Sequence, residues 1–132
     1  MHQKKYLPQS KDDKDFICYL NKLNAEEIQD DIPILLEWLQ DGNWPAAKPV
    51  ADFLISQLKL IQTEILDVLK SEDEIWKYWI IEYLLIQTNI SLHKTILREL
   101  ARISEYPSLN EKEVGLDTSA HVVLQKQNRM HF

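Results

Sequence analysis

An all-α fold of stacked helical hairpins is what this sequence predicts, and three observations carry the prediction. Apolar residues recur at i, i+3/i+4, i+7 almost from end to end, and few stretches alternate with period two for long enough to be strands. Only two glycines occur in 132 residues, which argues against turn-rich β-sandwiches and barrels and against a Gly-rich phosphate loop. The apolar pattern also repeats. Ile34-Leu35 falls on Ile65-Leu66 and then on Ile96-Leu97, 31 residues apart each time, and Trp38 falls on Leu69 and Leu100. With the same shift Val50, Phe53 and Leu54 fall on Ile81, Leu84 and Leu85. A third copy needs extra residues at the 106–110 break before Leu116, Ala120 and Val123-Leu124. Such a period means hairpins that bury their apolar stripes on one another, about three of them, with roughly seven helices.

The elements follow in order. A polar segment, 1–12, precedes a short helix over 14–23 and a second over 25–40, where Ile28, Ile32, Leu35, Leu36 and Leu39 form the stripe. Asp30-Asp31 before Pro33 allows the second helix to start as late as Asp31. Asp41-Gly42-Asn43 reads as a stop, with Gly42 taking the positive φ of a helix end. A third helix runs over 44–57, with Pro49 awkward unless it lies in the first turn. The fourth spans 58–70. Ser71 and Glu74 form a capping-box pattern ahead of the fifth, 72–87. Ser91 caps the sixth, 92–104, and the seventh, 111–127, is weakened by the internal Gly115. Residues 128–132 are a loose tail. The length is that of a single domain, since domains run to about 100–200 residues.

Hydrophobic residues make up 45% and charged residues 27%, a globular mix. Fifteen Lys+Arg against 21 Asp+Glu leave a net charge of −6, and the pI is near 5.2. Nucleic-acid binding needs clustered basic side chains, and Lys4-Lys5 is followed by Asp12-Asp13, so no nucleic-acid partner is expected. The start lacks a signal-peptide apolar stretch, and no window reaches the ~18 apolar residues of a membrane span. The expectation is a soluble, cytoplasmic protein. Cys18 is the lone cysteine, expected as a small buried hydrophobe. His2, His93, His121 and His131 show no i, i+4 pair, so neither metal nor cofactor is expected. Asp41-Gly42-Asn43 lacks the alternating ligands of a calcium loop. No nucleophile elbow or Walker loop occurs, and no catalytic residue is assigned. Asp12-Asp13, Asp30-Asp31 and Glu72-Asp73-Glu74 read as helix starts rather than acid/base pairs.

On a helical wheel the fifth helix is apolar on both sides, with Tyr78, Ile81, Leu84 and Leu85 on one face and Trp76, Trp79, Tyr83 and Ile86 on the other. The shift places Trp79 on Lys48 and Tyr83 on Asp52. Trp44, Lys48, Asp52, Trp76, Trp79, Glu82 and Tyr83 are therefore candidates for a concave aromatic groove with a few charges, the composition protein interfaces favour. The same aromatics could equally fill space between helices.

The stretch Trp38-Leu39-Gln40-Asp41-Gly42-Asn43-Trp44-Pro45-Ala46-Ala47-Lys48-Pro49-Val50-Ala51 resembles the signature of a bacterial family, domain of unknown function 5071. Asp73-Glu74-Ile75-Trp76-Lys77-Tyr78-Trp79 and the leading Leu7-Pro8 are similar to it as well. The resemblance implies a HEAT-like stack of helical hairpins and carries no catalytic residues; the expected architecture is a right-handed solenoid of about three hairpins. The expected function is a non-catalytic module that grips a protein or peptide, as a monomer or weak dimer. The acidic charge suits a basic partner through electrostatic steering. Alternatives are a helical-repeat enzyme of hydrolase or base-excision type using Asp52 or Glu82, and an immunity-type inhibitor of a bacterial toxin.

Overall fold

Burial of the predicted stripes produces a purely helical molecule; a computed structural model describes residues 4–130, and no strand occurs among them. Eight α-helices are formed there: α1 (Phe16–Leu20), α2 (Ile32–Glu37), α3 (Ala47–Ser56), α4 (Gln62–Leu69), α5 (Glu74–Ile80), α6 (Lys94–Glu105), α7 (Leu109–Glu113) and α8 (Leu116–Arg129). Short 3-10 turns, Gln29–Asp31 and Leu58–Leu60, lead towards α2 and α4, and a π turn, Ile81–Leu85, continues α5. The helices pack in two rows. One is α2, α4, α6; the other is α3, then α5 with its π turn, then α8. A single cluster of buried apolar side chains runs from Phe16 to Val123.

The repeat is present, with one adjustment of register. Leu35, Ile65 and Ile96 are the buried members of the three Ile-Leu pairs, while Ile34 is exposed and Leu66 and Leu97 are half-buried. Leu39, Leu69 and Leu100 are buried one turn further on, and Trp38, which the constant shift places there, is half-buried. The first step between these helices is therefore 30 residues and the second 31. A single-residue slip turns a helix face by about 100°, so burial and not residue identity sets the equivalence. In the second row Val50, Phe53 and Leu54 do match Ile81, Leu84 and Leu85, all buried.

Several boundaries differ from expectation for local reasons. The first two helices shrink to α1 and α2, and Pro33 sits in the first turn of α2, where its missing N–H costs nothing. Pro49 falls in the first turn of α3 for the same reason. The cap of α5 is Asp73, whose Oδ1 accepts from the Trp76 backbone N–H at 3.0 Å, not Ser71. Ser91 does not cap α6; His93 precedes it with no side-chain cap. The seventh predicted helix is two helices. Gly115 has φ 78°, a conformation that L side chains rarely adopt, and it ends α7 and opens α8. No atom crowds a Cβ there. Gly115→Ala should therefore cost only the backbone term, about 1–2 kcal/mol, read as a lowered midpoint in urea denaturation. Asn128 and Arg129, placed in a loose tail by the sequence, belong to α8. Residues 131–132 and the first three, with His2 and His131, lie outside the described residues. Cys18 is exposed, contrary to expectation, because Phe16 and Leu20 take the inward face of so short a helix.

Side-chain amides fasten the hairpins. Gln57, after α3, accepts from the Ala25 backbone N–H at 2.8 Å. Gln127, near the end of α8, accepts from the Leu92 N–H at 2.9 Å and donates to the Ile90 carbonyl at 3.0 Å. Gln62 in α4 accepts from the His93 N–H at 2.6 Å, joining one hairpin to the next. Each satisfies a loop N–H that the packing removes from water. At the start of the chain Asp31, itself buried, accepts from Lys4 Nζ and from the Tyr6 hydroxyl. Burial works against its charge, but the two donors outweigh that and hold its carboxyl below the usual value.

Candidate functional site

The Trp76–Tyr83 segment is held by three contacts with the turn that precedes α3 and with α2. Trp76 Nε1 donates to the Leu36 carbonyl at 2.8 Å. The Tyr83 hydroxyl donates to the Gly42 carbonyl at 2.8 Å. The Trp79 ring lies directly over Gly42, so closely that a Cβ there would sit 2.3 Å from the indole. Gly42 is thus required by close approach and not by its backbone angle: Gly115 is the positive-φ glycine. Trp79 also packs against Tyr83 and Tyr78, with centroid separations of 5.2 and 5.1 Å.

The seven predicted residues do not all meet. Trp44 is half-buried, with its ring edge-on to Trp38 at 5.8 Å and Lys11 Nζ above it at 5.9 Å. Lys48 and Asp52 are exposed and form an i, i+4 ion pair on α3, a geometry that contributes little to stability. Glu82 accepts from Ser119 Oγ at 3.0 Å, between the π turn and α8. Trp76, Trp79 and Tyr83 are each half-buried. Trp76 and Tyr83 pack on the core, so space-filling and surface roles divide within those two rings, whereas Trp79 packs on Gly42, Tyr78 and Tyr83.

A different assembly stands open at the surface. Ile75, Tyr78 and Trp79 project at i, i+3, i+4 from α5. Together with Val114 they line a trough made of two adjoining recesses that share Ile75 and Val114; its other residues are Asp41, Glu72, Asp73, Glu74 and Glu113 with the neutral Gln40, Asn43 and Asn110, and none is basic. Ile75 is 51% exposed beside the half-buried Tyr78, Trp79 and Val114, which makes this an apolar patch open to solvent. Neither Ile75 nor Val114 is among the groove residues expected from the sequence. The helical wheel placed Tyr78 and Trp79 on opposite faces, but as neighbours only about 100° apart they meet at 5.1 Å and share this recess, and Val114 reaches them through the α7–α8 turn.

Beneath this surface lies a second feature absent from the sequence reading. Lys77 Nζ donates to Glu111 Oε2 at 3.1 Å, with both side chains almost wholly buried. Glu111 also receives two bonds from Arg102, at 3.1 and 2.7 Å, and the Ser108 backbone N–H at 2.7 Å. Ser108 Oγ accepts from the Glu111 N–H, completing a capping box. The Arg102 guanidinium chiefly, with the Ser108 and Lys77 bonds, outweighs burial and lowers the Glu111 carboxyl to about 2. Glu111 in turn raises the Arg102 guanidinium still further above its ordinary value. Each nitrogen here has an oxygen partner, so the cluster is a joint between α5, α6 and α7.

Among the described residues no three His, Cys, Asp or Glu side chains gather as a metal site requires. Among them, too, no helix is long and apolar enough to cross a membrane. The fold and the trough define an all-helical protein of stacked hairpins with one acidic, aromatic surface strip. The sequence model of the family described as domain of unknown function (DUF5071) matches residues 6–124, and the chain belongs to that family. No curated protein matches it.

Proposed function

We propose that this chain is a non-catalytic protein-binding module, a HEAT-like stack of hairpins acting in the cytoplasm as a monomer or weak dimer. Its partner presents a basic, partly apolar segment to the trough over Ile75, Tyr78, Trp79 and Val114. The observation that carries this is the exposure of Ile75 beside Tyr78 and Trp79, in a lining whose charged residues are all carboxylates. Rings with an apolar body and a polar tip are favoured interface anchors, and single-sign charge steers an oppositely charged partner. The carboxylates proposed for catalysis favour this reading. Asp52 is engaged by Lys48 and Glu82 by Ser119, and neither lines the trough. The exposed lone Cys18 suits a reducing compartment.

Affinity capture with three baits tests it: wild type, Ile75→Asp, and the double variant Lys48→Glu/Asp52→Lys. Ile75 is exposed enough for the first variant to fold. A partner held by wild type and by the α3 variant but lost by Ile75→Asp is the expected result. Loss from the α3 bait alone would move the surface to Lys48 and Asp52, and capture indifferent to both would remove the trough assignment.

A further inference from the structure

Between α2, α4 and the start of α5 lies a notch of about 220 Å³, lined by Pro33, Leu36, Glu37, Glu64, Asp67, Val68 and Trp76. It is smaller than the roughly 300–1,000 Å³ pockets that take drug-sized ligands, so its scale is that of one side chain. Pro33, Leu36, Val68 and the Trp76 ring make its walls apolar. The Trp76 N–H is already satisfied by the Leu36 carbonyl, which fixes the ring and leaves its π-system as a surface. Three carboxylates complete the lining, with no basic residue among them. Among the described residues none of the three is in an ion pair. Glu64 Oε2 is buried and receives no hydrogen bond at all. A buried carboxylate oxygen without a donor is costly, and native proteins rarely leave one so.

We propose that this notch receives one arginine side chain from the basic partner, its alkyl stem on Leu36 and Val68, its guanidinium against Trp76 and donating to Glu64. Guanidinium is weakly hydrated, stacks on aromatic faces and pairs with carboxylates through a fork, which suits this combination of walls better than ammonium. The proposal rests on the protein-binding reading for the source of the arginine, but its test does not. Nα-acetyl-arginine-N-methylamide is titrated into the isotope-labelled full chain, followed by the Trp76 indole and Val68 amide resonances, with the lysine and norleucine analogues alongside. Saturable shifts at these two sites with a Kd on the order of 1 mM are expected. Affinity should fall about tenfold in Glu64→Gln, the loss of one charge-assisted contact. Absence of shifts, equal shifts with norleucine, or an unchanged Kd in Glu64→Gln overturns the site; equal binding of the lysine analogue overturns the guanidinium assignment. Because the probe is a free small molecule, capture can fail while the notch binds, or succeed while it does not.

Discussion

Glu111→Gln is expected to destabilise the fold by about 3–5 kcal/mol, among the largest losses available to a substitution that changes so little shape. The amide can still accept from Ser108, so the cap survives. What is lost is the negative charge that compensates Lys77, whose side chain is only 5% exposed. Urea denaturation of the variant measures this directly. Lys77→Met supplies the contrast: it removes the buried cation, Glu111 keeps Arg102, and stability should stay within about 1 kcal/mol of wild type or rise. Equal losses in the two variants would show that the charge is not what matters. The pH dependence follows with a definite sign. The Glu111 carboxyl is lowered from 4.5 to about 2 in the fold, so its contribution is complete above about pH 4.5 and is lost as pH falls towards 2. It amounts to about 3 kcal/mol. In Glu111→Gln the slope of stability over that acid window should flatten.

The second large effect concerns Gly42. Alanine there places a methyl 2.3 Å from the Trp79 ring, and the ring cannot yield freely while Tyr78 and Tyr83 pack against it. Gly42→Ala should cost about 2–3 kcal/mol, at the upper end of typical overpacking. Trp79→Ala should cost about 3 kcal/mol, the low end of the range for tryptophan because the ring is half-buried. The diagnostic quantity is their coupling. In the Trp79→Ala background the added methyl at 42 meets no ring, and its cost should drop below about 1 kcal/mol. Additive losses in chemical denaturation of the four proteins would mean that Gly42 is needed for its backbone and not for the ring above it.

The fold class, α3 and the α5 segment were legible because they depend on periodicity, which survives without tertiary information, whereas the break at Gly115 before α8 was not. In the first row the register was legible only to within a residue, and the extent of α2 was not, since the expected helix over 25–40 is Ile32–Glu37. Ile-Leu pairs offer two apolar residues in succession, and packing alone decides that Leu35 but Ile65 and Ile96 turn inward. Gly42 and Gly115 exchanged roles for the same reason: a glycine shows that a side chain is forbidden, and only the structure shows whether a ring or a dihedral forbids it. Lys77 was hidden because a lysine on a helix is normally solvated, and its partner lies 34 residues away. Of the predicted groove, Trp76 and Trp79 do reach open surface, but in two separate recesses, since helix-wheel geometry says nothing about what the neighbouring helices cover.

The amide of Gln127 has a bearing on how long this chain must be. It reaches back 35 residues to the Leu92 N–H and 37 to the Ile90 carbonyl, both ahead of α6. The family match stops at 124, one turn short of it. A chain cut at that boundary would retain every apolar residue of the last core stripe through Val123 and still leave an inner N–H with no acceptor. Gln127 therefore works as a gauge of length: the final hairpin closes only when the helix has been extended far enough to hand its own amide to the loop where that hairpin began.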